Sequence, residues 1–393
     1  MKRVLYDSSA FDMQTHGGVS RCFAELYTRL PENISARIGV IETNNVYLQQ
    51  LGFNTSGYLY GQFAGKGNFL GKKALYKLYY SFYYHHYTRW DRWPHHNREY
   101  SIRLLKEQKF DVFHPTFFDD YFLDYLGGKP FVLTVHDMIP ELFPQYYDRN
   151  DPQIVRKKIL MPKAAHIIAV SEKTKEDIVR LTDIPEERIS VVYHGASMRP
   201  YVASPDSLFD FPYILYVGDR NLYKNFRLFC ADARAVLLRH KDVQVVCTGK
   251  PFTEQEKAFL AALGLGGRFV HKFVETNQMM FDLYHGALAF VYPSEYEGFG
   301  IPILEAYKAD CPVMLNRASC FPEIAGEAAL YFSAGKVGSM SFAEQFEQLY
   351  AWSDSEREAF LQRQRMRLKL FSWQESAKKL ATIYEKVAEK QQK

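Results

Sequence analysis

Several familiar signals are missing from this 393-residue chain. Its five cysteines (Cys22, Cys230, Cys247, Cys311 and Cys320) are odd in number and show no CxxC spacing. That argues against a disulfide framework or a structural zinc site and fits free thiols in a reducing compartment. No apolar stretch approaches the ~18 residues of a membrane span, so any membrane role is expected to be peripheral. The opening residues, MKRVLYDSSAFD, carry two basic side chains but only a short apolar run, unlike a signal peptide. A cytoplasmic location is therefore expected. HExxH, Walker A, a Cys/His cluster and a strand-end D-x-D pair are all absent, which leaves no motif for a metal. The formal net charge of +4 is too small, taken alone, to indicate nucleic acid.

What is present is an ordinary packed composition, 47% hydrophobic and 24% charged, which excludes whole-chain disorder. At ~100–200 residues per domain the length predicts two domains. Short β-branched runs alternate with amphipathic helices. Runs are expected at Val4–Tyr6, Arg37–Ile41, Val112–His114, Phe131–Thr134 and His166–Val170. After a gap they resume at Ile214–Val217, Val243–Cys247, Leu288–Tyr292 and Val313–Leu315. Helices are expected between them, including Val19–Leu30, Glu172–Leu181, Phe226–Arg239 and Ile303–Lys308. Such alternation predicts an α/β protein with parallel sheets covered on both faces. The stretch SMRPYVASPDSLFDF (Ser197–Phe211) lacks apolar periodicity and holds two prolines, so it marks a boundary. The expected units are 1–197 and 198–372, with a closing amphipathic helix over 373–393. Ligands in such sheets bind beyond the carboxyl ends of the strands, which places the site in a central cleft between the domains.

The richest stretch is PSEYEGFGIPILEAYKAD (Pro293–Asp310). An apolar strand ends just before it. Gly298 and Gly300 permit a tight turn and close backbone approach, and Pro302 suits the first turn of a helix. Free N–H groups and the helix dipole at such a start favour an anion such as a phosphate. Glu297 is placed to accept hydrogen bonds from sugar hydroxyls, and Glu305, one turn in, to reach a ribose. The plainer alternative is a helix start whose acidic residues suit the dipole. In YVGDRNLYKNF, Gly218 ends a strand, and Arg220 and Lys224 precede a helix. Two cations at a strand–helix turn suit a diphosphate, although a solvated basic turn would read the same way. Gly17 and Gly18 follow the first strand without forming GxGxxG. They would let backbone amides approach a donor phosphate or an acceptor. His114 and His136 each stand at a strand end, where a structural role competes with a functional one.

Together these stretches resemble the retaining glycosyltransferases of the GT-B fold, in particular family 4 and its mannosyltransferases. EGFGIPILE is similar to the family's E-x7-E signature and YVGDRNLYKNF to its phosphate-clamping loop. HGGVSR (His16–Arg21) resembles its first glycine-rich turn, and FSWQESAKKLATIY its closing helix, which crosses back to the amino-terminal domain. The resemblance implies two Rossmann-like domains facing a cleft, an amino-terminal one for the acceptor and a carboxy-terminal one for a nucleotide sugar. It implies a catalytic group of His136, Asp137 and Glu297. It implies donor binding by Gly17, Gly18, Arg220, Lys224, Gly298, Phe299, Gly300, Ile301 and Glu305. It further implies transfer of a hexose, with GDP-mannose preferred to UDP-sugars, with retention and without a metal or other cofactor. The acceptor would be a glycan or a lipid-linked glycan of surface polysaccharide. A non-catalytic paralogue that binds nucleotide or glycan is the main alternative; a phosphorylase or epimerase is disfavoured.

One segment falls outside the resemblance, roughly 46–100. Aromatic residues are 16% of the chain, and eleven of them fall between Phe63 and Trp93. Nine cations and two anions lie between Gly61 and Lys106, a net +7 that leaves −3 for the remainder. Basic and aromatic residues together suit an anionic membrane surface or a lipid diphosphate acceptor, with Lys72, Lys73, Lys77, Arg89 and Trp90 as candidates. Aromatics packed internally with solvated cations are the alternative. Nucleic acid is not expected as a partner. A peripheral contact at the inner face of the membrane follows from the first reading.

Overall fold

A computed structural model describes residues 1–53, 75, 92–198, 201–204, 208–220, 222–335, 337–338 and 340–390. The candidates Lys72, Lys73, Lys77, Arg89 and Trp90 lie outside the described residues. Among the described residues no helix is long and apolar enough to cross a membrane.

The first half builds a parallel sheet from β1 (Lys2–Tyr6), β2 (Ile34–Ile38), β3 (Val112–His114), β4 (Val132–Val135), β5 (His166–Ala169) and β6 (Ile189–Val191). β1 lies between β2 and β3, and β5 between β4 and β6. A parallel bridge from Phe113 to Phe131 joins the two groups. The second half forms a six-stranded parallel sheet of β7 (Tyr213–Tyr216), β8 (Gln244–Cys247), β9 (Phe269–His271), β10 (Ala289–Tyr292), β11 (Val313–Asn316) and β12 (Leu330–Phe332), in the order β12-β11-β10-β7-β8-β9. β4, β7, β10 and β11 are buried at every position, as strands with helices on both faces require.

One expected strand is displaced. The run predicted at Arg37–Ile41 is replaced by Ile34–Ile38, paired in register with Lys2–Tyr6. β1 ends at Tyr6 because Asp7 turns aside, its Oδ1 accepting from the backbone N and Oγ1 of Thr116, both at 2.7 Å. The pairing therefore runs back toward Ile34, and Ile34 and Ile38 become the buried positions. β6, β9 and β12, which no periodicity signals, are three-residue edge strands. They are too short to show a pattern.

The helices include α1 (Gly18–Tyr27), α2 (Val46–Gln50), α3 (Arg92–Glu107), α4 (Pro152–Lys163), α5 (Glu172–Leu181), α6 (Phe226–Arg239), α7 (Ile301–Lys308) and α8 (Trp373–Lys390). α8 packs Trp373, Ala377, Leu380, Ala381 and Val387 into the core of the first sheet with Val4, Phe23 and Val112. It also delivers the Tyr384 hydroxyl 2.6 Å from both Tyr6 Oη and His114 Nδ1. The two domains meet at α5. Its first N–H groups, from Glu172 and Lys173, donate to the Glu323 carboxylate at 2.7 and 3.0 Å, an anion held at a helix start from the other domain.

Candidate active site

In the second sheet the strand order reverses between β7 and β10. The loops leaving such a switch point form the natural ligand crevice of an open α/β sheet. The chain supplies Gly218–Lys224 after β7 and Pro293–Gly300 after β10. These loops are tied together: Glu295 N donates to Tyr223 O at 2.7 Å, and Asn225 Nδ2 to Pro293 O at 3.2 Å. Asn225 takes a left-handed φ of 54° before α6, so the loop turns sharply under Lys224. Lys224 Nζ then lies 2.5 Å from Glu297 Oε1.

Gly300, with φ 92°, caps α7 in the left-handed region, and Pro302 occupies the first turn. Glu305 faces the cleft from within α7. Its Oε1 accepts from Arg21 Nη1 of α1 at 2.5 Å, and its Oε2 lies 3.4 Å from the Tyr284 hydroxyl. Gly298 lies against the first domain. A Cβ there would stand 1.8 Å from the carbonyl oxygen of His136 and 3.3 Å from Asp137 Cβ. Glycine is required here by close approach, not by conformation. The Gly298 carbonyl accepts from Ser171 Oγ of that domain at 2.7 Å.

His136 directly follows β4, with its ring 6.1 Å from Phe23 and 6.0 Å from His194. Burial pushes its pKa down to about 4, so it is neutral near pH 7. Its Nε2 is buried without a hydrogen-bond partner, as is Ser294 Oγ in the loop after β10, and such open polar atoms are uncommon in a protein interior. Asp137 beside it accepts from Ile139 N at 3.0 Å, which holds the loop. His114 has both nitrogens engaged, Nδ1 by Tyr384 and Nε2 by Thr134 Oγ1 at 2.9 Å. Its role is therefore structural.

Four further candidates take varied places. Gly17 and Gly18 start α1, and a Cβ on Gly18 would stand 3.8 Å from Ile301 Cδ1, so the starts of α1 and α7 face each other across the cleft. Phe299 turns into the interdomain core beside His194 and Phe371, 4.8 and 5.7 Å away. Only its backbone remains near the loop. Arg220 departs most from expectation. Its guanidinium donates to Glu256 at 2.8 Å and to the carbonyls of Lys250 and Pro251 at 2.7 and 3.0 Å, and it stacks over Phe252. Those contacts brace the loop, and Lys224 is the cation set beside Glu297.

Two site residues escaped sequence reasoning. Arg21 closes HGGVSR, yet a lone cation in a helix announces nothing until Glu305 is brought opposite. His194, in VVYHGAS, is buried between His136, Phe299 and Trp373. Burial, and next the neighbouring His136, hold its pKa well below the usual range. A cavity of about 290 Å³ opens between the domains, lined by Arg21, Tyr47, Met198, Asn277, Met280 and Glu305 among others. Among the described residues no group of three or more His, Cys, Asp or Glu side chains forms a metal-binding cluster.

Comparison with known proteins points one way. The model of Glycosyltransferase Family 4 matches residues 61–198, so most of the segment expected to fall outside the resemblance lies within the family match, and that of Glycosyl transferases group 1 matches 211–351. The O-antigen chain mannosyltransferase RfbU of Salmonella typhimurium is 28% identical over 201 residues, 51% of this chain and 55% of that protein. The chain thus spans about half the length of that relative. The O-antigen chain mannosyltransferase B of Escherichia coli is 27% identical over 296 residues, 71% of this chain and 75% of the relative. Among solved structures, Anabaena Alr3699/HepE in complex with UDP and glucose superposes with a TM-score of 0.70 at 14% identity, covering 98% and 99% of the two chains. A glycosyltransferase from Rickettsia africae gives 0.66 at 17%, covering 98% of each. At these identities the structures establish the fold.

Proposed function

The chain belongs to glycosyltransferase family 4 and has the GT-B fold, and we propose that it transfers mannose from GDP-mannose, with retention, to a growing surface-polysaccharide glycan or its lipid-linked form. One observation carries the reading. The two loops at the β7/β10 switch point bring Lys224, Glu297 and the start of α7 together, opposite the neutral His136 of the other domain. The mannose assignment rests on the two O-antigen mannosyltransferase relatives.

In this reading Lys224 and the N–H groups opening α7 hold the diphosphate. Glu297 orients the sugar hydroxyls, and Glu305 the ribose. Charge builds on the departing diphosphate in the transition state, so a fixed cation and a helix start placed there lower the barrier. The departing phosphate oxygen takes the acceptor proton on the same face, which asks His136 to position rather than to abstract a proton. Lys224 and the helix dipole do the work that a divalent cation does elsewhere, so no metal is needed. The net +7 of 61–106 supports a peripheral contact with anionic lipid, where each juxtamembrane cation adds about 1 kcal/mol.

The test is a panel of nucleotide sugars in EDTA, read first by thermal shift and then by product anomer in NMR. Stabilisation by GDP-mannose and an α-linked product support the proposal. Stabilisation by a nucleotide sugar with no turnover on any glycan acceptor would support the non-catalytic alternative.

A further inference from the structure

Glu305 depends on a residue outside its own domain. Its carboxylate is largely buried, with 11% of the side chain exposed, and Arg21, 19% exposed, is the cation that meets it. A carboxylate withdrawn from water needs such a partner. The partner comes across the cleft, on α1 of the amino-terminal domain. Arg21 is itself held there: Cys22, Phe23 and Leu26 bury the helix, and the guanidinium lies over the Tyr47 ring at 5.6 Å. Both charged groups line the same interdomain cavity of about 290 Å³. Arginine carries five N–H donors, and among the described residues its hydrogen bond is the one to Glu305. Donors remain for a ligand in the cavity, and Glu305 Oε2, 3.4 Å from the Tyr284 hydroxyl, remains to accept from one.

We propose that Arg21 is a donor-positioning residue that holds Glu305 for the nucleoside ribose from across the cleft, so that nucleotide affinity depends on a side chain of the amino-terminal domain. This rests on the donor-site reading above. It predicts that the ribose is gripped fully only when Arg21 is present to hold Glu305.

The experiment is calorimetric titration of GDP and UDP into the full chain, for wild type, Arg21→Ala, Arg21→Lys, Glu305→Gln and the Arg21→Ala/Glu305→Gln double variant. Arg21→Ala should weaken binding by about ten- to a hundredfold, the range of a charge-assisted hydrogen bond. Arg21→Lys should recover part of it, since it keeps the charge and loses the planar fork. The double variant should lose clearly less than the product of the two single losses, because both act through one contact. In turnover, donor KM should rise while kcat is largely kept. A folded Arg21→Ala protein with wild-type affinity, or losses that multiply in full, would overturn the proposal; so would a lowered melting temperature with affinity unchanged. If Arg21→Ala does not fold, unchanged affinity in Arg21→Lys overturns it equally. Wild type that binds neither nucleotide overturns the donor-site reading itself, and this inference with it.

Discussion

Lys224 Nζ stands 2.5 Å from Glu297 Oε1, and this contact joins the two loops that leave the switch point of the second sheet. In the unliganded protein the cation and the carboxylate satisfy each other. Under the proposed function, a diphosphate entering beside Lys224 would replace that partner with a more highly charged one and free Glu297 for hydroxyls.

Lys224→Ala should therefore weaken nucleoside diphosphate binding by about 1.5–3 kcal/mol. Titration of GDP and UDP with EDTA, and again with Mg²⁺, reads it. Binding of the wild type in EDTA is expected to match binding with Mg²⁺. Strict dependence on the metal would refute the assignment of Lys224.

Glu297→Gln keeps the shape of the side chain and removes its charge. It should cut turnover much more than it cuts affinity for free nucleotide, because Glu297 is assigned to the sugar. Steady-state rates paired with titrations decide the point. Lost nucleotide affinity with an intact rate would exchange the roles of the two glutamates.

Gly298→Ala tests the domain contact. The added methyl would meet the His136 carbonyl at 1.8 Å, so either the loop or the domain approach must yield. Overpacking of this kind costs about 1–3 kcal/mol. Activity should fall sharply while the cooperative unfolding transition survives with a lowered midpoint. Wild-type rate and stability together would mean that the loop moves freely.

Protonation of His136 should oppose folding. Its folded pKa of about 4 lies below the ordinary 6.5 because burial disfavours the imidazolium. The contribution is complete above pH 6.5 and is lost as pH falls toward 4, on the order of 3 kcal/mol in all. His136→Asn lacks this dependence. Urea unfolding at pH 7 and pH 4.5 should show wild type losing more stability in acid than the variant. Equal acid losses would assign the effect to other groups.

The basic segment predicts salt-sensitive adsorption. Co-sedimentation with anionic vesicles should exceed that with neutral ones and fade toward 1 M salt, where the Debye length is ~3 Å. Lys72, Lys73 and Lys77 changed together to Glu should abolish the difference. Equal, negligible binding to both vesicle types would favour aromatic residues packed internally.

Much of this protein was legible in the sequence because its signals are local. Central parallel strands are buried on both faces, so they read as continuous apolar runs, and α5, α6 and α8 fall at the expected residues. The turn chemistry of Gly300 and Pro302 marked the start of α7, and the spacing of Glu297 and Glu305 placed both near it. Local signals also have limits. β6, β9 and β12 are edge strands of three residues, and β2 moved because register is set by where its partner ends. Tertiary structure alone decided the pairings. Arg220 and Lys224 share one loop, yet folding turned the first onto Glu256 and the second onto Glu297. Arg21 met Glu305, and Tyr384 met His114, across separations of 284 and 270 residues. Sequence records which groups a chain owns. Which of them become partners depends on the free energy of burying charge, and that is set only when distant segments close over it.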